Sequence, residues 1–242
     1  MEKELKKKKQ APDFVRGIIN GIPIALGYLS VSFGFGITAV SSGLSVFEAF
    51  MISLTNLTSA GQAQGVSVIA AGGTLFEMAL VQFIINIRYA LMSLSLSQKL
   101  DKSFTLPHRL LAAYGITDEI FAVCSTKEKI LKPNYMYGII GISTLGWVTG
   151  TFLGAAAGEL LPPSVTAALG ILLYGMFIAI IIPPARKEFG ILFTILTAAM
   201  LSVIFFYFLP GISGGFAMII CSVAAAVIAA VIFPKKEEKE ES

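Results

Sequence analysis

Polar side chains and glycines interrupt the apolar sequence of this chain at 55–73, which reads TNLTSAGQAQGVSVIAAGG. The interruption carries amides and hydroxyls but no charge, and it separates two short apolar runs. Irregular backbone at membrane depth is tolerated only where protein or water satisfies it, and carriers use such breaks to aim half-helix ends at a substrate. The candidate substrate-binding residues are Asn56, Gly61, Gln62 and Gln64. The alternative interpretation is close packing of helices, for which small and amide-bearing residues are also typical.

Three charged residues fall inside apolar segments. Arg88 lies in FIINIRYALMS, and Asp118 and Glu119 are adjacent in GITDEIF. A charge at the centre of a bilayer costs at least about 2.5–3.5 kcal/mol, so Arg88 needs an ionic partner, a cavity or a route to the headgroups. Adjacent side chains on a helix point about 100° apart, so one carboxylate can pair with Arg88 while the other titrates, which suits proton coupling. Alternatively, Arg88 reaches the cytoplasmic headgroups and the two acids lie on an interfacial helix.

The composition around these residues is that of a membrane protein. Of the 242 residues, 55% are hydrophobic and only 14% are charged, whereas soluble domains carry about 25% charged residues. Uncharged runs of 31, 26 and 46 residues follow Arg16, Lys132 and Glu188, and a membrane-spanning helix needs about 20 residues. The sequence therefore predicts an all-α, polytopic integral membrane bundle with a discontinuous helix and about seven to eight transmembrane segments.

The predicted spans are 14–40, 74–96, 134–157, 164–182, 189–209 and 213–233, with short apolar segments beginning at 46 and 61 and an acidic segment at 110–126. Basic loops at 98–109, 127–132 and 183–188 predict a cytoplasmic location for both termini. Residues 13–233 are expected to form a single transmembrane domain between a disordered basic tail at 1–12 and a charged tail at 234–242. The sequence leaves open whether 45–73 and 107–126 re-enter the membrane or cross it.

Two further patterns concern packing and symmetry. Glycines recur every fourth residue in GWVTGTFLGAAAG, at Gly146, Gly150, Gly154 and Gly158, which predicts a helix face that packs closely against another backbone. The segments GITAVSSGLSVFEAFMI and AAAGELLPPSVTAALGI lie 119 residues apart and share a helix end, a break and a new apolar helix. This similarity raises the question of an inverted internal repeat, which is common in carriers.

Several function classes lack their motifs in this sequence. It contains one histidine and two distant cysteines, and no zinc-protease helix, nucleophile elbow or phosphate-binding loop. We therefore predict that the chain is not an enzyme and that it uses no metal or cofactor. The net charge of +3 arises from basic residues at the ends of spans, so we do not expect nucleic-acid binding.

Three motifs in order resemble the AzlC family, the large subunit of branched-chain amino-acid exporters. They are AGQAQ at 60–64, NIR at 86–88 followed by Tyr89 and LMSLSLS, and TDE at 117–119. The resemblance covers roughly 14–232. We predict that Asn86, Arg88, Asp118 and Glu119 form a charge relay or gate. Members often have a histidine where this chain has Tyr89. If that histidine handles protons, coupling here must use another group, and Asp118 and Glu119 are the candidates.

This resemblance implies a secondary, proton-linked transporter in the bacterial cytoplasmic membrane that exports branched-chain or similar apolar amino acids. It also implies a small hydrophobic partner subunit of the AzlD type. Coupling to Na⁺ instead of H⁺ stays open, as does assembly into an oligomer. A channel-like pore and a non-transporting membrane scaffold are the alternative functions, and a single sequence does not separate them from a carrier.

Overall fold

The computed structural model describes residues 11–126, 130–160 and 181–234, together with 162, 164, 175 and 178. The helices with defined bounds in this part of the chain are α1 (Asp13–Ser41), α2 (Val46–Thr55), α3 (Ala60–Ala70), α4 (Leu75–Ser97), α5 (Leu106–Tyr114), α6 (Asp118–Ser125), α7 (Pro133–Leu160), α8 (Phe189–Phe208) and α9 (Gly214–Ile232). Residues 181–187 are also helical. Among the described residues the only β pairing is an isolated bridge between Leu100 and Leu131, which ties the end of α4 to the start of α7.

Five of these helices are long and apolar enough to cross a membrane, namely α1, α4, α7, α8 and α9. The all-helical, multi-span architecture predicted from the sequence is therefore confirmed for the described residues. The predicted span at 164–182 lies largely outside them, as do the tails at 1–10 and 235–242, so the total of seven to eight segments is not established.

Helices α1 and α7 form the centre of the bundle and run parallel to each other. Gly17 packs against Gly138 near the start of both helices, and Phe33 packs against Gly154 near their ends, so the contacts advance along both helices together. We call the side of the bundle on which α1 and α7 begin the near side, and the side on which they end the far side. An inverted repeat would make equivalent helices antiparallel. The 119-residue spacing would make α1 and α7 equivalent helices. Because these two helices run parallel, they do not support an inverted repeat.

The glycines at every fourth residue of α7 make the close approach of α1 and α7 possible. A Cβ atom would lie 2.8 Å from the Cα of Ala25 at Gly146, 2.9 Å from the Cα of Leu29 at Gly150 and 2.8 Å from the Cα of Phe33 at Gly154. Real Cβ atoms essentially never approach other atoms so closely. The predicted packing face is confirmed, and the surface that it meets is α1 of the same chain.

Helices α2 and α3 form a hairpin that enters from the far side and turns back partway along α7. The side chain of Gln62 donates a hydrogen bond to Ser53 across the hairpin (3.0 Å). Ala49 and Val66 share one buried cluster with the far halves of α1 and α7. Both pairs are symmetric about the turn at 56–59, which is the arrangement of antiparallel helices. The predicted break is thus present, but the chain reverses there.

Helices α5 and α6 form a second hairpin, which enters from the near side. His108, near the start of α5, hydrogen-bonds to Tyr137 near the start of α7, and Gly115 at the end of α5 packs against Ile140. Helix α6 then returns, so that its Cys124 Sγ lies 3.6 Å from the Sδ of Met136. The segment 107–126 therefore enters and leaves on the same side of the bundle.

Helix α4 runs antiparallel to α1 and passes both hairpins. Its first turn lies on the far side, where the buried carboxylate of Glu77 accepts hydrogen bonds from the N–H of Gly215 (3.1 Å) and the hydroxyl of Ser213 at the start of α9. Its last turn buries Leu96 in the near-side core. Because α4 extends from one hairpin to the other, its polar residues can contact both turns.

Candidate functional site

The turns of the two hairpins meet inside the bundle. The hydroxyl of Tyr114, the last residue of α5, donates a hydrogen bond to the carbonyl oxygen of Leu54 near the end of α2 (2.6 Å). Leu57, in the far-side turn, is buried in the same core cluster as Ile116 of the near-side turn. Leu57 and Ile116 of the two turns are therefore packed within protein, which irregular backbone within a membrane requires.

The far-side turn is fixed by its own polar groups and by α4. The Oδ1 of Asn56 accepts the N–H of Thr58 (3.1 Å), and Ser59 adopts the left-handed region with φ of 41°. Gln82 of α4 donates to the carbonyl of Gly61 (2.8 Å). A Cβ on Gly61 would clash with the hydroxyl of Thr58 and lie 2.8 Å from the Oε1 of Gln82, so a larger residue would push both side chains out of place.

The near-side turn is joined to α4 by an ion pair. The Nη1 of Arg88 lies 2.9 Å from the Oδ2 of Asp118, and 38% of the Arg88 side chain and 32% of the Asp118 side chain are exposed. The other terminal nitrogen of Arg88 donates to the hydroxyl of Tyr89 (3.2 Å), and the guanidinium lies 5.0 Å from the centre of that ring. The predicted pairing of Arg88 with one of the two acids is thus present, and the partner is Asp118.

The second acid of the pair, Glu119, faces α1. Its Oε2 accepts a hydrogen bond from the hydroxyl of Tyr28 (2.6 Å), which also lies 2.5 Å from the Oγ1 of Thr117. Tyr28 is buried and packs edge-on against Trp147 of α7, with ring centroids 5.2 Å apart. Thr117 in turn caps the start of α6 by accepting the N–H of Ile120 (3.3 Å).

Several buried polar atoms of the bundle have no hydrogen-bond partner. Among the described residues they belong to Ser32, Thr58, Gln62, Asn86, Arg88, Ser143, Thr144 and Trp147. Asn86 is the middle residue of α4 and Trp147 lies at the middle of α7. An unsatisfied buried polar group typically costs about 1–3 kcal/mol. Groups of this kind at the middle of α4 and α7 are suited to binding a polar ligand.

The predicted site residues divide into those that meet here and those that do not. Gly61, Asn86, Arg88, Asp118 and Glu119 all line the region where α4 passes the two turns. Asn86 donates to Gln82 (3.0 Å), so it joins the hydrogen-bond series that ends at the Gly61 carbonyl.

The remaining three predicted residues have other positions. Asn56 shapes the far-side turn, and Gln62, which is 2% exposed, donates to Ser53 of α2. Gln64 lines a separate cavity of about 620 Å³ between α3, α8 and α9. The structure therefore does not bring Gln64 to the other candidates.

Three residues of this region were not singled out by sequence. Gln82 lies four residues before Asn86, on one face of α4, and this spacing was an available signal. Tyr28 and Tyr114 occur in ordinary apolar helical patterns, and only the tertiary structure places their hydroxyls against Glu119 and Leu54. Among the described residues, no group of three or more His, Cys, Asp or Glu side chains is placed to hold a metal ion.

Comparisons with known proteins agree with the motif resemblance. The family model described as AzlC protein matches residues 23–161. The chain is 30% identical to the inner membrane protein YgaZ of Escherichia coli K12 over 204 residues, which cover 81% of this chain and 83% of YgaZ. It is also 31% identical to an uncharacterized membrane protein of Archaeoglobus fulgidus over 172 residues, or 70% and 75% of the two chains. No solved structure matches. The chain is a multi-pass membrane protein that belongs to the AzlC family.

Proposed function

We propose that this protein is the large subunit of a secondary transporter that exports branched-chain or similar apolar amino acids. The observation that carries the proposal is the meeting of two half-height hairpins, from opposite sides of the bundle, among buried polar atoms without partners. Carriers place their substrate sites near the middle of the membrane at such interruptions.

The chemistry of this region suits an amino acid. The unpartnered groups include acceptors on Asn86 and donors on Arg88 and Trp147, so an ammonium and a carboxylate both find complementary groups. The walls around them are mainly apolar, with Ile116, Leu57 and Tyr28 buried nearby. An apolar side chain would be stabilised by burial against such walls.

Alternating access follows from the arrangement of the hairpins. The far-side hairpin is anchored to α7 by the hydrogen bond between Ser53 and Thr151 (2.7 Å). The near-side hairpin is tied to the other end of the bundle through Lys99 of the loop after α4, whose ammonium donates to the Ser125 carbonyl. We propose that each hairpin closes the site toward its own side and that the transport cycle opens them in turn.

We further propose that the near side faces the cytoplasm of a bacterial cell. The basic loops at 98–109, 127–132 and 183–188 would then all lie inside. The protein would work with a small hydrophobic membrane subunit of the AzlD type, as the family resemblance implies. Coupling to protons would use a carboxylate of the near-side turn.

Efflux of preloaded isoleucine tests this proposal. Cells would express the chain with and without an AzlD-type subunit, as wild type, as Arg88→Ala and as Arg16→Ala. The Arg16 variant is the matched control because it loses a comparable ion pair, with Asp13 (3.2 Å), at the near-side end of α1. We expect saturable efflux that requires the partner, persists in Arg16→Ala and is lost in Arg88→Ala at equal membrane levels.

Other results would contradict the proposal in different ways. Efflux that rises without saturation would indicate a channel, since a carrier has a limited number of sites. Absence of isoleucine efflux in every condition, with both proteins folded in the membrane, would refute the substrate assignment. Full activity of Arg88→Ala would show that the ion pair with Asp118 has no part in transport.

A further inference from the structure

We propose that Glu119 is a carboxylate shared in turn by a proton and by the α-ammonium group of the substrate. The inference rests on the transport function proposed above. It identifies the residue for which substrate and proton compete. This competition is a reason for the movements of substrate and proton across the membrane to be coupled.

The ion pairs of the described residues single out Glu119. Arg88 is engaged by Asp118 (2.9 Å), whereas Asp13 takes both Arg16 (3.2 Å) and Lys132 (3.3 Å) at the near-side end. None of these pairs includes Glu119. A carboxylate without a cation partner is a suitable acceptor for a proton or for a mobile cation. Since Arg88 pairs with Asp118, Glu119 is available to such a group.

The groups that face Glu119 do not supply this charge. From α1 it receives the neutral hydroxyl of Tyr28 (2.6 Å), and on α4 it interacts electrostatically with Tyr89, whose hydroxyl accepts a hydrogen bond from Arg88. Its neighbour on α6, Asp118, is itself acidic. The start of α6 contributes at most about half a positive charge through the helix dipole. The local balance therefore stays negative, and the side chain is only partly buried, so that a ligand can reach it.

Trp147 provides a complementary feature for the other end of an amino acid. Its side chain is 2% exposed and its Nε1 has no hydrogen-bond partner. An indole N–H can only donate, so it suits a carboxylate and not an ammonium group. Tyr28 contacts both Glu119 and Trp147. A free amino acid would thus find an acceptor, the Glu119 carboxylate, and a donor, the Trp147 N–H, around the Tyr28 ring.

The exchange balances in atoms and charge. In the proposed cycle, the Glu119 carboxyl receives a proton each time a substrate leaves. When the ammonium group of the amino acid binds, the proton leaves to water and the carboxylate forms an ion pair with the ammonium. When the substrate departs on the far side, a proton from that side replaces it. One proton enters for each amino acid exported, and the site never holds both.

Proton release on substrate binding tests the inference. The full-length protein, in the form that supports isoleucine efflux, would be held in weakly buffered detergent solution with a pH-indicator dye. L-isoleucine would be added between about pH 5 and pH 8, and binding would be measured in parallel with labelled isoleucine. The probe N-acetyl-L-isoleucine, which lacks the ammonium group, would be tested as a competitor. Glu48→Gln is the matched carboxylate control, because Glu48 is an exposed capping residue of α2.

We expect wild type and Glu48→Gln to release up to about one proton per bound isoleucine. Glu119→Gln should release none and bind isoleucine at least about tenfold more weakly, and N-acetyl-L-isoleucine should fail to compete. Isoleucine binding without proton release at any pH, or equal competition by N-acetyl-L-isoleucine, would overturn the inference and leave the transport proposal standing. Absence of isoleucine binding would overturn both. If Glu119→Gln does not fold, wild-type proton release and the competition by N-acetyl-L-isoleucine can each still overturn the inference.

Discussion

Replacing Gly154 with alanine should destabilise the protein, whereas the same change at Gly141 on the same helix should stabilise it. A Cβ at Gly154 would lie 2.7 Å from the carbonyl carbon and 2.8 Å from the Cα of Phe33, while a Cβ at Gly141 would meet nothing within 4 Å. Ordinary contact begins at 3.4 Å, and the carbonyl oxygen of Phe33 is closer still than its carbonyl carbon, so α1 and α7 would have to separate by more than 0.7 Å, the difference between 3.4 and 2.7 Å. The obstacle is backbone, which cannot rotate away as a side chain can.

The size of the two effects follows from this geometry. Overpacking a well-packed interface costs about 1–3 kcal/mol, and alanine is favoured over glycine within a helix by about 0.5–1 kcal/mol. Gly154→Ala should therefore lower the free energy of unfolding by up to about 2.5 kcal/mol, and Gly141→Ala should raise it by about 0.5–1 kcal/mol.

Equilibrium unfolding in mixed detergent and dodecyl sulfate micelles, followed by circular dichroism, would measure both changes. Opposite signs for the two variants would support the parallel α1–α7 interface. Stabilisation by both substitutions would refute it, because it would mean that Gly154 does not touch Phe33.

Three further substitutions test the hairpins and their anchors. Gly61→Ala should abolish efflux while the protein stays folded, because the new Cβ would displace Gln82 from the far-side turn; unchanged efflux would contradict this. Tyr114→Phe should remove the hydrogen bond to Leu54 and speed hydrogen exchange in both turns, and exchange confined to one turn would argue against their contact. Glu77→Leu should lower the unfolding free energy by about 1–3 kcal/mol, because the buried start of α9 loses its acceptor; wild-type stability in the same micelle assay would exclude this anchor.

The sequence by itself determined the class of the protein and much of its candidate site. Long uncharged runs require membrane helices because charges are too costly in lipid, and glycines at every fourth residue require close helix contact. The adjacent acids Asp118 and Glu119 and the isolated Arg88 were recognisable because a charge within an apolar segment needs a partner.

Only the tertiary structure decided the paths of the two interrupted segments and the pairing of the charges. Hydropathy does not distinguish a hairpin from a crossing, since both are short apolar helices with a break. The direction is set by contacts between residues distant in sequence, such as Tyr114 with Leu54 and Tyr28 with Glu119. The same contacts place Gln64 away from the other candidates. Helical spacing gives the angle between neighbouring side chains, but the neighbouring helix that each one meets depends on the packing of the whole bundle.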